Sequence, residues 1–83
     1  MANGHDLLDR SKAFALASMK FYDALPKTAK AQVPGVQYLK ASTSVAMNYR
    51  AARRGRSRKE FIAKLGVVVE EIDESVGWLE VMR

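Results

Sequence analysis

The sequence predicts an all-α protein, an up-down antiparallel helical bundle, and three observations carry that prediction. Apolar residues recur at helical spacing along nearly the whole chain, Pro26 ends the first of three long stretches, and Gly55 followed by the Ser57–Glu60 capping box separates the second from the third. The 83 residues make one domain, residues 1–83. Chains this short bury only about 60–65% of the surface they expose unfolded, so association with further helices would help to stabilise the core.

The first helix is expected from about Asp6, an acid suited to a first turn, to Leu25. Leu7, Ser11, Phe14, Ser18, Phe21 and Leu25 follow a 4-3-4-3-4 spacing that lays them on one face, and Leu8, Ala15 and Tyr22 widen that stripe. Pro26 ends it, because proline cannot donate the next hydrogen bond and disfavours helical geometry at the residue before it.

The second helix is expected to start at Thr28, or to re-start at Pro34, and to end at Gly55, with Pro34-Gly35 producing a kink or a break. Leu39, Thr43, Ala46 and Met47 share one face, while Tyr38, Ala41, Val45, Tyr49 and Ala52 share roughly the opposite one. Gly55 suits the left-handed position that closes a helix, and Ser57 with Glu60 forms a capping box that opens the third. Asn48 and Ser44 are placed to hydrogen-bond to the third helix or to a neighbouring subunit, or else are exposed.

The third helix carries Phe61, Ile62, Leu65, Val68, Val69, Ile72, Val76 and Leu79 on one broad stripe, and Val67, Trp78 and Val81 on its back. Gly66 and Gly77, which cost about 1 kcal/mol each relative to alanine inside a helix, imply close packing there unless they are neutral surface positions. Two helices with apolar residues on opposite sides exceed what three helices around one core bury, so a fourth helix is expected from another chain or a lost segment. Tyr38, Val45, Tyr49, Val67, Glu71, Glu74, Trp78 and Val81 are the candidate oligomer interface.

Charge is distributed unevenly. Residues 1–39 carry +2, residues 40–59 carry +7 with no acid, and residues 60–83 carry −4. Six of the ten residues from Arg50 to Lys59 are basic: Arg50, Arg53, Arg54, Arg56, Arg58 and Lys59. Arg58 and Lys59 sit at a helix start, where partial positive charge on free N–H groups favours anions by roughly 0.3–1 kcal/mol per side chain. Five arginines to one lysine favours bidentate recognition of phosphate or carboxylate. The cluster therefore reads as a nucleic-acid-binding surface contacting phosphates without reading bases, or as a solubilising cap, or as the partner of an acidic helix in a neighbouring subunit.

Catalysis finds little support in the sequence. The one histidine, His5, lies in an N-terminal segment expected to fray, and no cysteine is present to act as nucleophile or to form a disulfide. Glu70, Glu71, Asp73, Glu74 and Glu80 lack the Glu-x-x-His pairing of di-iron bundles, so no metal or other cofactor is expected. No apolar run reaches the ~18 residues of a membrane span and the N-terminus is no signal peptide, which predicts a cytoplasmic protein without membrane or small-molecule partners.

The run from Thr43 to Ile62 reads T-S-V-x-x-N-Y-R-x-A-R-x-x-R-S-x-x-E-F-I, and Glu70 to Glu80 reads E-E-x-D-E-S-x-x-W-L-E. With the Leu25-Pro26-Lys27-Thr28 turn, these segments resemble the four-helix-bundle proteins also called ribosomal-RNA intervening-sequence proteins, over roughly residues 6–82. The resemblance implies an up-down bundle that assembles as a cyclic homo-oligomer, typically a pentamer, and is related to basic accessory proteins of retroelement reverse transcriptases that engage RNA. The chain departs from the family pattern at Pro34-Gly35 and in having no fourth helix after Trp78-Leu79-Glu80. The expected function is a noncatalytic homo-oligomeric module that binds RNA nonspecifically, with RNA or a reverse transcriptase as partner. The alternative is a scaffold whose basic cluster pairs with Glu71, Asp73, Glu74 or Glu80 of a neighbour.

Overall fold

A computed structural model describes residues 4–83, with side chains from Asp6 onward. The readings of Met1–Asn3 as no signal peptide and of the His5 imidazole as a poor base fall on groups outside that description. Among the described residues the fold is all-α: α1 spans Gly4–Asp23, α2 Ala29–Arg53 and α3 Arg58–Met82, with no strand. The Cα radius of gyration, 14.0 Å, exceeds the ~12 Å of a compact globule of this length, and the extents of 45 × 20 × 18 Å describe a short rod. Among the described residues no helix is long and apolar enough to cross a membrane.

α1 ends at Asp23, two residues before Leu25, because Pro26 stops the backbone pattern. Ala24 N–H still reaches Lys20 O and Phe21 O, at 3.2 and 3.1 Å, and Leu25 N–H reaches Tyr22 O at 3.0 Å, so the last turn tightens instead of continuing. Thr28 then caps α2, its hydroxyl accepting from Ala31 N–H at 3.3 Å. Gln32 fastens this first turn to α1, accepting from Tyr22 Oη at 2.6 Å and donating to Pro26 O at 2.9 Å.

The break allowed for at Pro34 does not occur: α2 is one helix with Pro34 inside it. Pro34 lies in the second turn, where it forfeits one backbone bond, that to Lys30 O, on an exposed residue. Gly35 has its own role. A Cβ there would lie 2.5 Å from Leu25 Cδ1 and 3.5 Å from the Tyr22 ring, so the missing side chain lets α2 close against the end of α1.

α2 is the central element. Both α1 and α3 pack along it, α3 more extensively, and no Cα of α1 comes within 8 Å of a Cα of α3. The buried face of α2 is therefore broad and made mostly of small residues, Ala41, Ser42, Ala46 and Ala52, between the larger Tyr38, Val45 and Tyr49. This corrects part of the expectation that α2 needs an outside partner, since one of its apolar faces is divided between α1 and α3 while Met47, on the other, is 62% exposed. Val45, Tyr49 and Val68 form the core, with Leu8, Phe14 and Leu65 packed against it.

Buried serines close their hydrogen bonds locally or in pairs. Ser18 Oγ and Tyr38 Oη lie 2.8 Å apart, Ser42 Oγ donates to Leu39 O and Ser75 Oγ donates to Glu71 O. Asn48, a candidate bridge to another helix, donates to Ser44 O at 2.9 Å within its own helix instead. The Phe21 and Tyr38 rings meet edge to face at 5.4 Å, a second tie between α1 and α2.

Candidate nucleic-acid interface

The six cations gather at one end of the rod because the α2–α3 turn is short. Arg50 and Arg53 occupy the last turn of α2, Arg54 is its C-cap, Arg56 lies in the turn, and Arg58 and Lys59 open α3. The turn contains no positive-φ residue, which corrects the left-handed reading of Gly55. The helix ends by tightening instead, Arg54 N–H bonding to Ala51 O at 3.1 Å and Gly55 N–H to Ala52 O at 3.0 Å. Gly55 favours a close approach: a Cβ would sit 3.1 Å from Ala52 O and 3.2 Å from Phe61 N, tight contacts with backbone atoms.

The capping box forms with a shifted arm. Ser57 Oγ accepts from Glu60 N–H at 3.1 Å, while Glu60 Oε1 accepts from the Arg56 backbone N–H at 3.5 Å, one residue before the cap. The one acid beside the cluster is thus turned toward backbone. All six cationic side chains are exposed, and among the described residues none of them forms an ion pair. Arg50 and Arg53 complement the negative end of the α2 dipole, whereas Arg58 and Lys59 oppose the positive end of α3.

α1 contributes to the same end. Leu8 floors a shallow depression of about 290 Å³ walled by Arg50, Arg53 and Arg54, a feature with no signal in the linear sequence because it depends on where α1 starts relative to the end of α2. Guanidinium groups at i, i+3 and i+4 around an apolar floor offer several N–H donors to neighbouring phosphate oxygens.

The candidate interface residues separate into two groups. Tyr38, Val45 and Tyr49 are only 4–6% exposed and serve first the chain's own core between α1 and α3, with Val45 and Tyr49 still reachable at the floor of a groove. Val67, Glu74 and Val81 are exposed, and Glu71 and Trp78 are half-buried. A Cβ at Gly66 or Gly77 would meet nothing within 4 Å, so neither serves packing within the chain.

A second feature lies on the side of the rod where α1 and α3 diverge. An apolar groove of about 450 Å³ runs between them, floored by Val45 and Tyr49 and walled by Leu7 and Phe14 on one side and Leu65 and Ile72 on the other. Along α3 its wall continues as Ile62, Leu65, Val69, Ile72, Val76 and Leu79, a 3-4-3-4-3 repeat in which all but Leu65 are at least 38% exposed. In comparisons with known proteins the chain matches no family model, no curated protein and no solved structure.

Proposed function

We propose that this chain is a noncatalytic, self-associating helical module that binds RNA through its phosphate backbone at the α2–α3 turn. The observation that supports it most is six exposed cations at one end of the rod with no carboxylate paired to any of them. Two of these oppose a helix dipole, a cost that an incoming phosphate would remove. Nothing at this end presents a base-reading arrangement, so the proposed binding is electrostatic and nonspecific. Membership of the intervening-sequence family, assembly as a ring and a reverse-transcriptase partner belong to the same proposal and rest on the resemblance of residues 43–62 and 70–80.

Filter binding with a nonspecific single-stranded RNA tests it. Affinity should fall steeply with salt, and Arg53→Ala with Arg54→Ala should lower the log-log slope by about 1.4, two contacts at roughly 0.7 each. A salt-independent affinity, or an unchanged slope in the double variant, would remove the reading. Should the double variant instead lose self-association while its RNA binding is unchanged, the scaffold in which the cluster pairs with a neighbour's acidic helix replaces it.

A further inference from the structure

We infer that the groove between α1 and α3 receives the outer face of α2 from a second copy of this chain, back to front, so that copies nest one into the next. The inference gives the self-association proposed above a specific interface.

Shape is the first argument. α1 and α3 each flank α2 and stay more than 8 Å apart in Cα positions, and residues of all three helices line one groove with α2 at its floor, so in cross-section the chain is a V with α2 at its apex. With legs at the usual 8–10 Å interaxial distance, the open corner accommodates one further helix. α1 and α3 run in the same direction and α2 runs opposite, so a nested α2 lies antiparallel to both walls, the same relationship α2 has with them inside one chain.

The second argument is the unaccounted apolar surface. The outer face of α2 carries Val33, Val36 and Met47, exposed by 65%, 37% and 62%, interspersed with Ala29, Lys40 and Thr43 at 3-4 spacing. This row continues the side of α2 on which Met47 lies, and α1 and α3 leave it largely uncovered. The groove offers the complement in the Ile62-to-Leu79 row of α3 and in Leu7, Phe14 and Phe21 on α1, one heptad apart.

Charge supplies the third. α2 contains no acidic residue and four basic ones, Lys30, Lys40, Arg50 and Arg53, whereas α3 from Glu70 to Glu80 carries five acids and no base. Of these basic residues, Lys40 lies on the outer face with Val33, Val36 and Met47 and would meet the α3 side of the groove, where Asp73 and Glu80 flank the apolar row, away from Arg10 on the α1 side. Because donor and acceptor surfaces differ, the contact is heterologous, and repetition with a rotation that closes gives a ring. Every copy then points the same way, which puts all the α2–α3 turns on one rim, where their modest phosphate contacts act together.

Light scattering after size exclusion tests the nesting. Wild type should run as an assembly of more than two 9.2 kDa chains. Val69→Lys blocks the groove and Met47→Glu blocks the inserted helix; both positions are more than 60% exposed, so far-UV circular dichroism should show each variant fully helical and monomeric. Mixed one to one, the two variants should form a heterodimer that grows no further, since each retains the surface the other lacks. Lys40→Glu, also exposed, should weaken wild-type assembly by about tenfold through the acidic rim. A monomeric wild type, an assembly indifferent to Met47→Glu, or a mixture that does not pair would each overturn the inference. RNA binding by a monomeric wild type would sink the nesting and keep the RNA reading; a nested assembly without RNA affinity would do the reverse.

Discussion

Ser18 Oγ and Tyr38 Oη share a buried hydrogen bond of 2.8 Å where α1 crosses α2, and each hydroxyl stands in a position that the helical pattern alone would give to an apolar residue. Small Ser18 lets the tyrosine ring approach, and the ring in turn meets Phe21 edge to face. Tyr38→Phe removes one partner and leaves Ser18 to its own helix backbone, which should cost about 1–2 kcal/mol in urea unfolding with an unchanged m-value. Adding Ser18→Ala should recover most of that loss. A double variant as unstable as the sum of the singles would show that the pair is not coupled.

Ser57→Ala removes the oxygen that accepts from Glu60 N–H at the start of α3. Loss of an N-cap of this kind costs about 1 kcal/mol, equivalent to a fall in Tm of roughly 4–8 °C for a domain of this size. Ser57→Asp should retain the cap and, by bringing an acid among the cations, match or exceed wild-type stability at low salt. Thermal scans of the three proteins decide it.

Gly77→Ala should stabilise the chain by about 0.5–1 kcal/mol, because a Cβ there meets nothing within 4 Å and alanine loses less backbone entropy in a helix. A destabilised variant would show that another chain approaches this glycine closely. Its neighbour along α3, Gly66, has the same open surroundings and gives the same expectation for the isolated chain.

Gly35 behaves differently. Alanine there displaces only the end of the Leu25 side chain, a flexible group, and the gain in helix propensity offsets the disturbance, so Gly35→Ala should fall within about 0.5 kcal/mol of wild type. Gly35→Val carries two more atoms into the Leu25 and Tyr22 contact and should cost about 2–3 kcal/mol. Equal stability of the two variants, measured by urea midpoint, would mean that α1 does not close on α2 at this point.

The three helices were legible because their punctuation is local chemistry: Pro26 stops α1, Thr28 caps α2, and Ser57 with Glu60 opens α3. The cationic cluster was legible for the same reason, being contiguous. Pro34 left two helix starts open because its effect depends on how far into the helix it falls, and Gly55 misled because a tight approach and a left-handed turn both select glycine. Periodicity put Tyr38, Val45 and Tyr49 on an apolar face of α2 but could not say that two neighbours would share that face. Leu8 beneath the arginines and the uncovered row on α3 follow from helix placement in three dimensions, which no local pattern encodes.

The arrangement of two outer helices whose backbones each lie against the middle one also has a thermodynamic side. α1 and α3 each draw most of their tertiary support from α2, so the free energy of opening is not uniform along the chain. The α2–α3 hairpin, with the longer shared contact, should survive after α1 has peeled away, and native-state amide exchange should report faster opening in residues 4–23 than in residues 58–82.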